Sequence, residues 1–281
     1  MAVYALVSPG GSPGVTTTAL ALALAWPAPV VLAECDPACG DILAGLFAGH
    51  LTAPRGLLGV AFEAGRGEAA VAAELAGQLA PLDDGGSRML LAGLSDPRQA
   101  PGLAPAWPAI ARTLAGSAHD VIADCGRLDA GDGQPAAVLA EAVAVVMVLR
   151  PSLRQVARAR PRIEMITAML GGPDRLSLLL VGEGGRGAKE VAAALGVPVV
   201  ASLPLDGKTA AVLSDGEGRR TSLVGRPLLR AAGTAAAALR RAGPGWAAGQ
   251  AGRGARTAGG GTGLPGGLPR DGAEASARSA P

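Results

Sequence analysis

The opening of the chain is what most constrains its fold: a strand, a glycine-rich loop, a helix and a second strand follow one another within the first 34 residues. Val3–Ser8, with its Val, Tyr and Leu, reads as a buried strand, and Gly10-Gly11-Ser12-Pro13-Gly14 can only be a loop. From Val15 a Thr and then Ala/Leu run reads as a helix, which Pro27 stops. Residues 29–33 form a second apolar strand, with Cys35-Asp36-Pro37 as its exit turn. This is the start of a parallel βαβ unit, and a parallel sheet needs helices over both faces.

Later segments keep the alternation. Strands are expected at 88–94, 120–124, 142–149, 176–181 and 197–203, with helices at 105–115, 153–170, 188–195 and 227–241. The strands are continuously apolar rather than alternating. The expected fold class is therefore α/β, a doubly wound and mainly parallel sheet of about seven strands. Residues 42–86 read as mostly helical and inserted on one side, with Asp41 as an N-cap.

The chain has 281 residues, enough for one α/β domain of roughly 200–250 residues and an extension. Residues 1–242 are read as that domain. Residues 243–281, built mainly of Gly, Ala, Pro, Ser and Arg, lack the apolar side chains to fold and are expected to be disordered. Arg253, Arg256, Arg270 and Arg278 there are read as a solvated extension rather than a nucleic-acid site. With a net charge of +2, the chain gives no global electrostatic case for nucleic acid or acidic lipid.

Residues 15–33 are apolar, but no Lys or Arg precedes Arg55 and Trp26-Pro27-Ala28-Pro29 interrupts the run, so neither an export signal nor stable membrane insertion is expected. Three cysteines, an odd number, favour a reducing, cytoplasmic setting. Cys35 and Cys39 lack a second ligand pair for zinc and read as small thiols filling gaps. His50 and His119 have no acidic or nucleophilic partner at a recognisable spacing. Arg150, Arg154, Arg158, Arg160 and Arg162 cluster on one helix and read as a solvated face, Arg154 and Arg158 lying four residues apart. No Gly-x-Ser-x-Gly elbow of a hydrolase precedes a helix.

In an open parallel sheet, ligands bind at the carboxyl ends of the strands. Three turns there carry polar motifs: Gly10 to Thr18 after the first strand, Glu34-Cys35-Asp36-Pro37 with Gly40-Asp41 after the second, and Asp124-Cys125-Gly126 after the fourth expected strand. Residues 10–17, Gly-Gly-Ser-Pro-Gly-Val-Thr-Thr, resemble the deviant phosphate loop Lys-Gly-Gly-Val-Gly-Lys-Thr-Thr of the MinD/ParA branch of P-loop ATPases. Glu34-Cys35-Asp36-Pro37 with the following Gly40-Asp41-Ile42-Leu43 is similar to that family's second acidic motif, most closely in pilus-assembly members of the CpaE kind. His119 to Asp124 resembles the Walker B strand. Gly196-Val197-Pro198-Val199 through Leu203-Pro204-Leu205-Asp206 resembles the segment beside the adenine. The resemblance covers residues 1–242.

What the resemblance implies can be stated residue by residue. Gly10, Gly11, Ser12, Gly14, Val15, Thr16 and Thr17 would form the phosphate loop for ATP. Thr16, Asp36 and Asp124 would hold magnesium, with the two aspartates as the catalytic pair that orients it and water. Pro204 and Asp206 would lie near the base. The chain departs from the family where charge is needed: Gly10 and Val15 stand at the two lysine positions, and the only lysines are Lys189 and Lys208. Val181 is followed by Gly182-Glu183 in place of the base-reading Asn. The implied function is a nucleotide-binding protein with a degenerate loop and weak or absent ATP hydrolysis, in positioning, pilus or secretion assembly, or chromosome partitioning. It would act as a homodimer, or as a heterodimer with a related or secretion ATPase. Two alternatives remain: a non-catalytic scaffold that dimerises with an active ATPase, and an ATPase that takes an Arg or Lys from a partner in place of Val15.

Overall fold

The computed structural model describes residues 1–10, 13–49, 56–129, 133–216, 223 and 225–242. Gly11, Ser12, His50 and the 243–281 segment lie outside the described residues. Within them the chain forms one eight-stranded sheet in the order β3-β4-β2-β5-β1-β6-β7-β8. The strands are β1 (Val3–Ser8), β2 (Val30–Glu34), β3 (Leu79–Pro81), β4 (Arg88–Leu91), β5 (Asp120–Arg127), β6 (Ala144–Leu149), β7 (Leu176–Val181) and β8 (Val199–Leu203). All neighbours pair in parallel except β3, which runs antiparallel to β4 at the edge.

The fold class expected from sequence therefore holds, with eight strands in place of about seven. The additional strand lies in the 42–86 segment, expected to be mostly helical. That segment does supply helices α2 (Gly56–Phe62) and α3 (Glu68–Gln78). Leu79-Ala80-Pro81 then adds a three-residue edge strand, a place where the missing N–H of Pro81 costs no ladder bond to a further strand. Asp41 caps no helix. Residues 42–48 form turns, in which the Asp41 carbonyl accepts from the Gly45 amide at 2.7 Å.

Two apolar layers sandwich the sheet, because alternate strand residues point to opposite faces. In β1, Val3, Ala5 and Val7 join one core cluster, while Tyr4 and Leu6 join the other. The first layer packs under α2, α3, α5 (Trp107–Ala115), α6 (Ala136–Glu141), α7 (Leu153–Leu170) and α8 (Ala188–Leu195). The second packs under α1 (Val15–Leu24), α9 (Gly207–Asp215) and α10 (Pro227–Ala242), and α4 (Ala100–Leu103) completes the helices. Residues 15–33 are thus the helix and strand of a buried βαβ unit. Among the described residues no helix is long and apolar enough to cross a membrane.

Candidate functional site

The central strands β2, β5 and β1 end together, and their exits converge. Leu6 pairs with Asp124 but Ser8 pairs with Arg127, so β5 carries one extra residue opposite β1. Such a bulge re-aims side chains next to sites. Gly126 makes it possible, with φ +62. A Cβ there would lie 1.8 Å from the Asp36 Oδ2, so the glycine also lets the Asp36 carboxylate lie against the backbone of β5. The sequence motif Asp124-Cys125-Gly126 and the motif around Asp36 are thereby brought into contact.

After β1 the loop returns into α1 through Gly14, which is left-handed at φ 94, ψ 43. No side chain caps the helix, and Thr18 is the first residue to bond back, its amide donating to the Gly14 carbonyl at 2.9 Å. The amide donors of the first turn, where Val15, Thr16 and Thr17 lie, thus have no helical acceptor, the arrangement that favours an anion. On the other side of the loop, Gly10 has φ +122, and its carbonyl accepts from Gln155 Nε2 of α7 at 2.9 Å.

Thr16 and Asp124 meet. The Thr16 side chain lies close enough to the Asp124 carboxylate to favour its ionised form, and that carboxylate accepts from the Gly126 amide at 3.0 Å. Asp124 is fully buried, and burial pushes its pKa up to about 7, aided by the nearby Asp36 and Glu34 carboxylates. Burial likewise raises Asp36, against the pull of the Ala38 amide and Arg127. Glu34 is buried beneath the loop after β2, where its carboxylate accepts from the amides of Ile42 at 3.0 Å and Gly93 at 3.1 Å. Burial raises it too. Burial thus disfavours the charged form of all three carboxylates.

A cleft of about 500 Å³ runs over this constellation, lined among others by Gly14, Val15, Thr16, Thr17, Asp36 and Arg127. A second cleft, of about 550 Å³, shares Thr16, Thr17 and Asp41 and extends between α1 and α9 to Leu213 and Ser214. Most of the residues singled out after β1, β2 and β5 are thus assembled in one place. Pro204 and Asp206 line neither cleft. They follow β8, three strands from β1 and so roughly 14 Å across the sheet. Asp206 caps α9, its carboxylate accepting from the Thr209 amide at 3.1 Å and hydroxyl at 2.6 Å. Val15, which the family resemblance sets at a lysine position, is only 7% exposed and packs in the core cluster with Leu6 and Leu20.

Sequence reasoning did not find four contributors: Glu34 as the brace of its loop, Gly126 as the seat for Asp36, and the approach of Arg127 and Arg158 to Gly10. Gly126 was visible as a glycine directly behind an acidic strand end. Arg127 directly follows that glycine at the end of β5, whereas Arg158 had no local signal, because only the packing of α7 against the loop brings it there.

The architecture is matched by solved structures. A ParA family ATPase from Chlorobium tepidum superposes with a TM-score of 0.67 at 16% identity, over 84% of this chain and 98% of that one. The fold is that of the MinD/ParA ATPases. MinD from Aquifex aeolicus gives a TM-score of 0.66 at 16% identity, covering 86% of this chain and 98% of its own. MinD from Pyrococcus horikoshii in complex with Mg-ADP gives 0.61 at 15% identity, covering 84% and 94%. No protein-family model and no curated protein matches the chain. The MinD/ParA fold is thus carried here by a sequence only 15–16% identical to these structural neighbours.

Proposed function

We propose that the chain is a nucleotide-binding protein of the MinD/ParA kind whose phosphate loop has lost its lysines, so that it retains ATP or ADP but hydrolyses ATP slowly or not at all. The observation that carries this reading is the contact between Thr16 and Asp124 beneath the uncapped start of α1. A hydroxyl from the loop and an aspartate from a neighbouring strand end are the pair with which P-loop enzymes hold magnesium. Among the described residues no three acidic, His or Cys side chains form a metal cluster. Magnesium takes one or two protein carboxylates and completes its shell with phosphate and water.

In this reading Thr16, Asp36 and Asp124 would hold the ion, the two aspartates orienting it and water, and Gly10, Gly11, Ser12, Gly14, Val15 and Thr17 would shape the phosphate cradle. The ion, when bound, neutralises phosphate charge. Pro204 and Asp206 would act at the base through the end of β8. The protein would work as a homodimer, or as a heterodimer with a related ATPase, in positioning, pilus or secretion assembly, or chromosome partitioning. The structural neighbour with Mg-ADP supports the choice of ligand.

Charge stabilisation is most of phosphoryl-transfer catalysis, and neither Val15 nor Gly10 provides any. This favours a second reading, a non-catalytic scaffold that keeps the fold as a dimerisation surface. Nucleotide binding and turnover by the purified protein, alone and as Val15→Lys, separate the two. Binding without measurable turnover in the natural protein supports the first. Absence of all nucleotide binding, with the protein folded, leaves the scaffold. Turnover without a partner that is blocked by Asp124→Asn would overturn both the degenerate-loop and the scaffold readings.

A further inference from the structure

A side chain at residue 10 would emerge against two arginine side chains. The position of a Cβ on Gly10 is 3.6 Å from Arg127 Cδ and 3.9 Å from Arg158 Nη1. Arg127 ends β5 just beyond the bulge and lines the cleft with Thr16, Thr17 and Asp36. Arg158 lies one turn after Gln155 on α7, and Gln155 is the residue that holds the Gly10 carbonyl. Both arginines are exposed, and Arg158 has no ion pair among the described residues. Arg127 pairs with Asp129 at 2.5 Å, and Asp129 also faces Arg162 at 3.6 Å. The other charged groups facing Arg127 include Asp36.

Resting on the nucleotide-binding reading above, we propose that Arg127 and Arg158 supply from within the same chain the positive charge that the lost lysines would have given, and bind the phosphate groups of a nucleoside di- or triphosphate at the loop. The space into which a lysine at residue 10 would extend is bordered by cations already, so glycine at that position is a relocation of charge rather than its plain loss. A guanidinium also presents a planar fork of donors suited to phosphate oxygens. No partner-supplied arginine is then needed for retention of the ligand.

The test is equilibrium binding of a fluorescent ADP analogue and of ATP, with magnesium, to the full chain. Arg127→Ala and Arg158→Ala are each expected to weaken binding roughly tenfold, the scale of a lost hydrogen bond to a charged group, and the double variant further. Arg127→Lys and Arg158→Lys should recover part of that loss, and Arg66→Ala, which removes a distant exposed arginine paired with Glu63, should leave affinity unchanged. Because both side chains are exposed, thermal unfolding should show every variant folded. Natural protein that binds nucleotide with the same affinity as the double variant overturns the inference and leaves the nucleotide reading standing. Natural protein that binds neither ADP nor ATP overturns both.

Discussion

At Gly126 the absence of a side chain is what joins two strands' worth of chemistry. Alanine there would meet the Asp36 carboxylate at 1.8 Å and would have to hold φ +62, a left-handed conformation that costs an L-residue roughly 1–2 kcal/mol even without a clash. Gly126→Ala is expected to destabilise the protein by about 3 kcal/mol in urea unfolding, with displacement of Asp36 adding to the strain. Gly85→Ala, where a Cβ meets nothing within 4 Å, should be neutral. Equal effects at the two glycines would sink this account. Asp124 makes a prediction in pH. Its folded pKa of about 7 lies above the ordinary 3.8, so the folded state holds the proton more tightly than the unfolded chain. The stability this contributes is full below about pH 4 and is lost as pH rises through about 7. Glu34 and Asp36 are shifted in the same direction. Asp124→Asn should therefore raise the ligand-free melting temperature at pH 8 and have little effect near pH 4, while weakening magnesium–nucleotide binding. A variant less stable than the natural protein at pH 8 would contradict it. Thr16 and Asp124 were legible in the sequence as candidates, since both sit in motifs. The burial of Asp124, which raises its pKa, was not, because it arises from long-range packing rather than from local pattern.

Elements were readable in proportion to their length. The 18 residues of α7 span five turns of pattern, and helix α8 lies where the sequence placed it, at Ala188–Leu195. Helix α6 with six residues and β3 with three are too short for periodicity to separate from loop. Helix α9 is a different case: its start signal, Asp206 three residues before Thr209, was present but was read as a residue beside the base. The structure gives Asp206 a capping role, and its two bonds from Thr209 hold its carboxyl below the usual carboxylate range. Asp206→Ala is expected to cost about 1 kcal/mol, the typical worth of an N-cap. If the cap is its whole contribution, nucleotide affinity stays unchanged. A loss of affinity larger than the loss of stability would instead support the base-side role implied by the family resemblance. The same reasoning applies to the loop after β2: Gly40 and Gly93 both crowd Glu34, a Cβ at Gly40 falling 2.6 Å from its Oε2, so this loop is shaped around one buried carboxylate rather than by helix propensity.

On the scale of the whole molecule the sheet has an end that opens on the cleft and an end that ties the fold together, both written on β5. Arg127, with Asp124 three residues before it, faces the cleft, while Asp120 at the start of the strand ties the fold together. Asp120 is buried and accepts from the Ala2 amide at 3.2 Å, from Trp26 Nε1 at 3.0 Å and from Arg240 Nε at 2.9 Å. These contacts join the entry to β1, the connection from α1 to β2, and the last described helix α10. Trp26 also meets Tyr4 edge-on, with ring centroids 5.0 Å apart. The alternating pattern of strands and helices was enough to foresee a doubly wound sheet, but a contact between residues 26, 120 and 240 leaves no trace in local pattern. The two side-chain partners of Asp120 are not equivalent. Arg240 keeps 41% of its side chain exposed, so solvent screens its pairing and Arg240→Ala should cost no more than about 1 kcal/mol. Asp120→Ala instead strands the indole N–H of Trp26, only 2% exposed, and should cost about 3 kcal/mol. Since seven strand residues, roughly 23 Å, separate Asp120 from Arg127, nucleotide affinity measured well below the melting temperature should not change in either variant. Equal losses of stability for the two would mean that the ion pair, and not the buried indole contact, secures this end of the sheet.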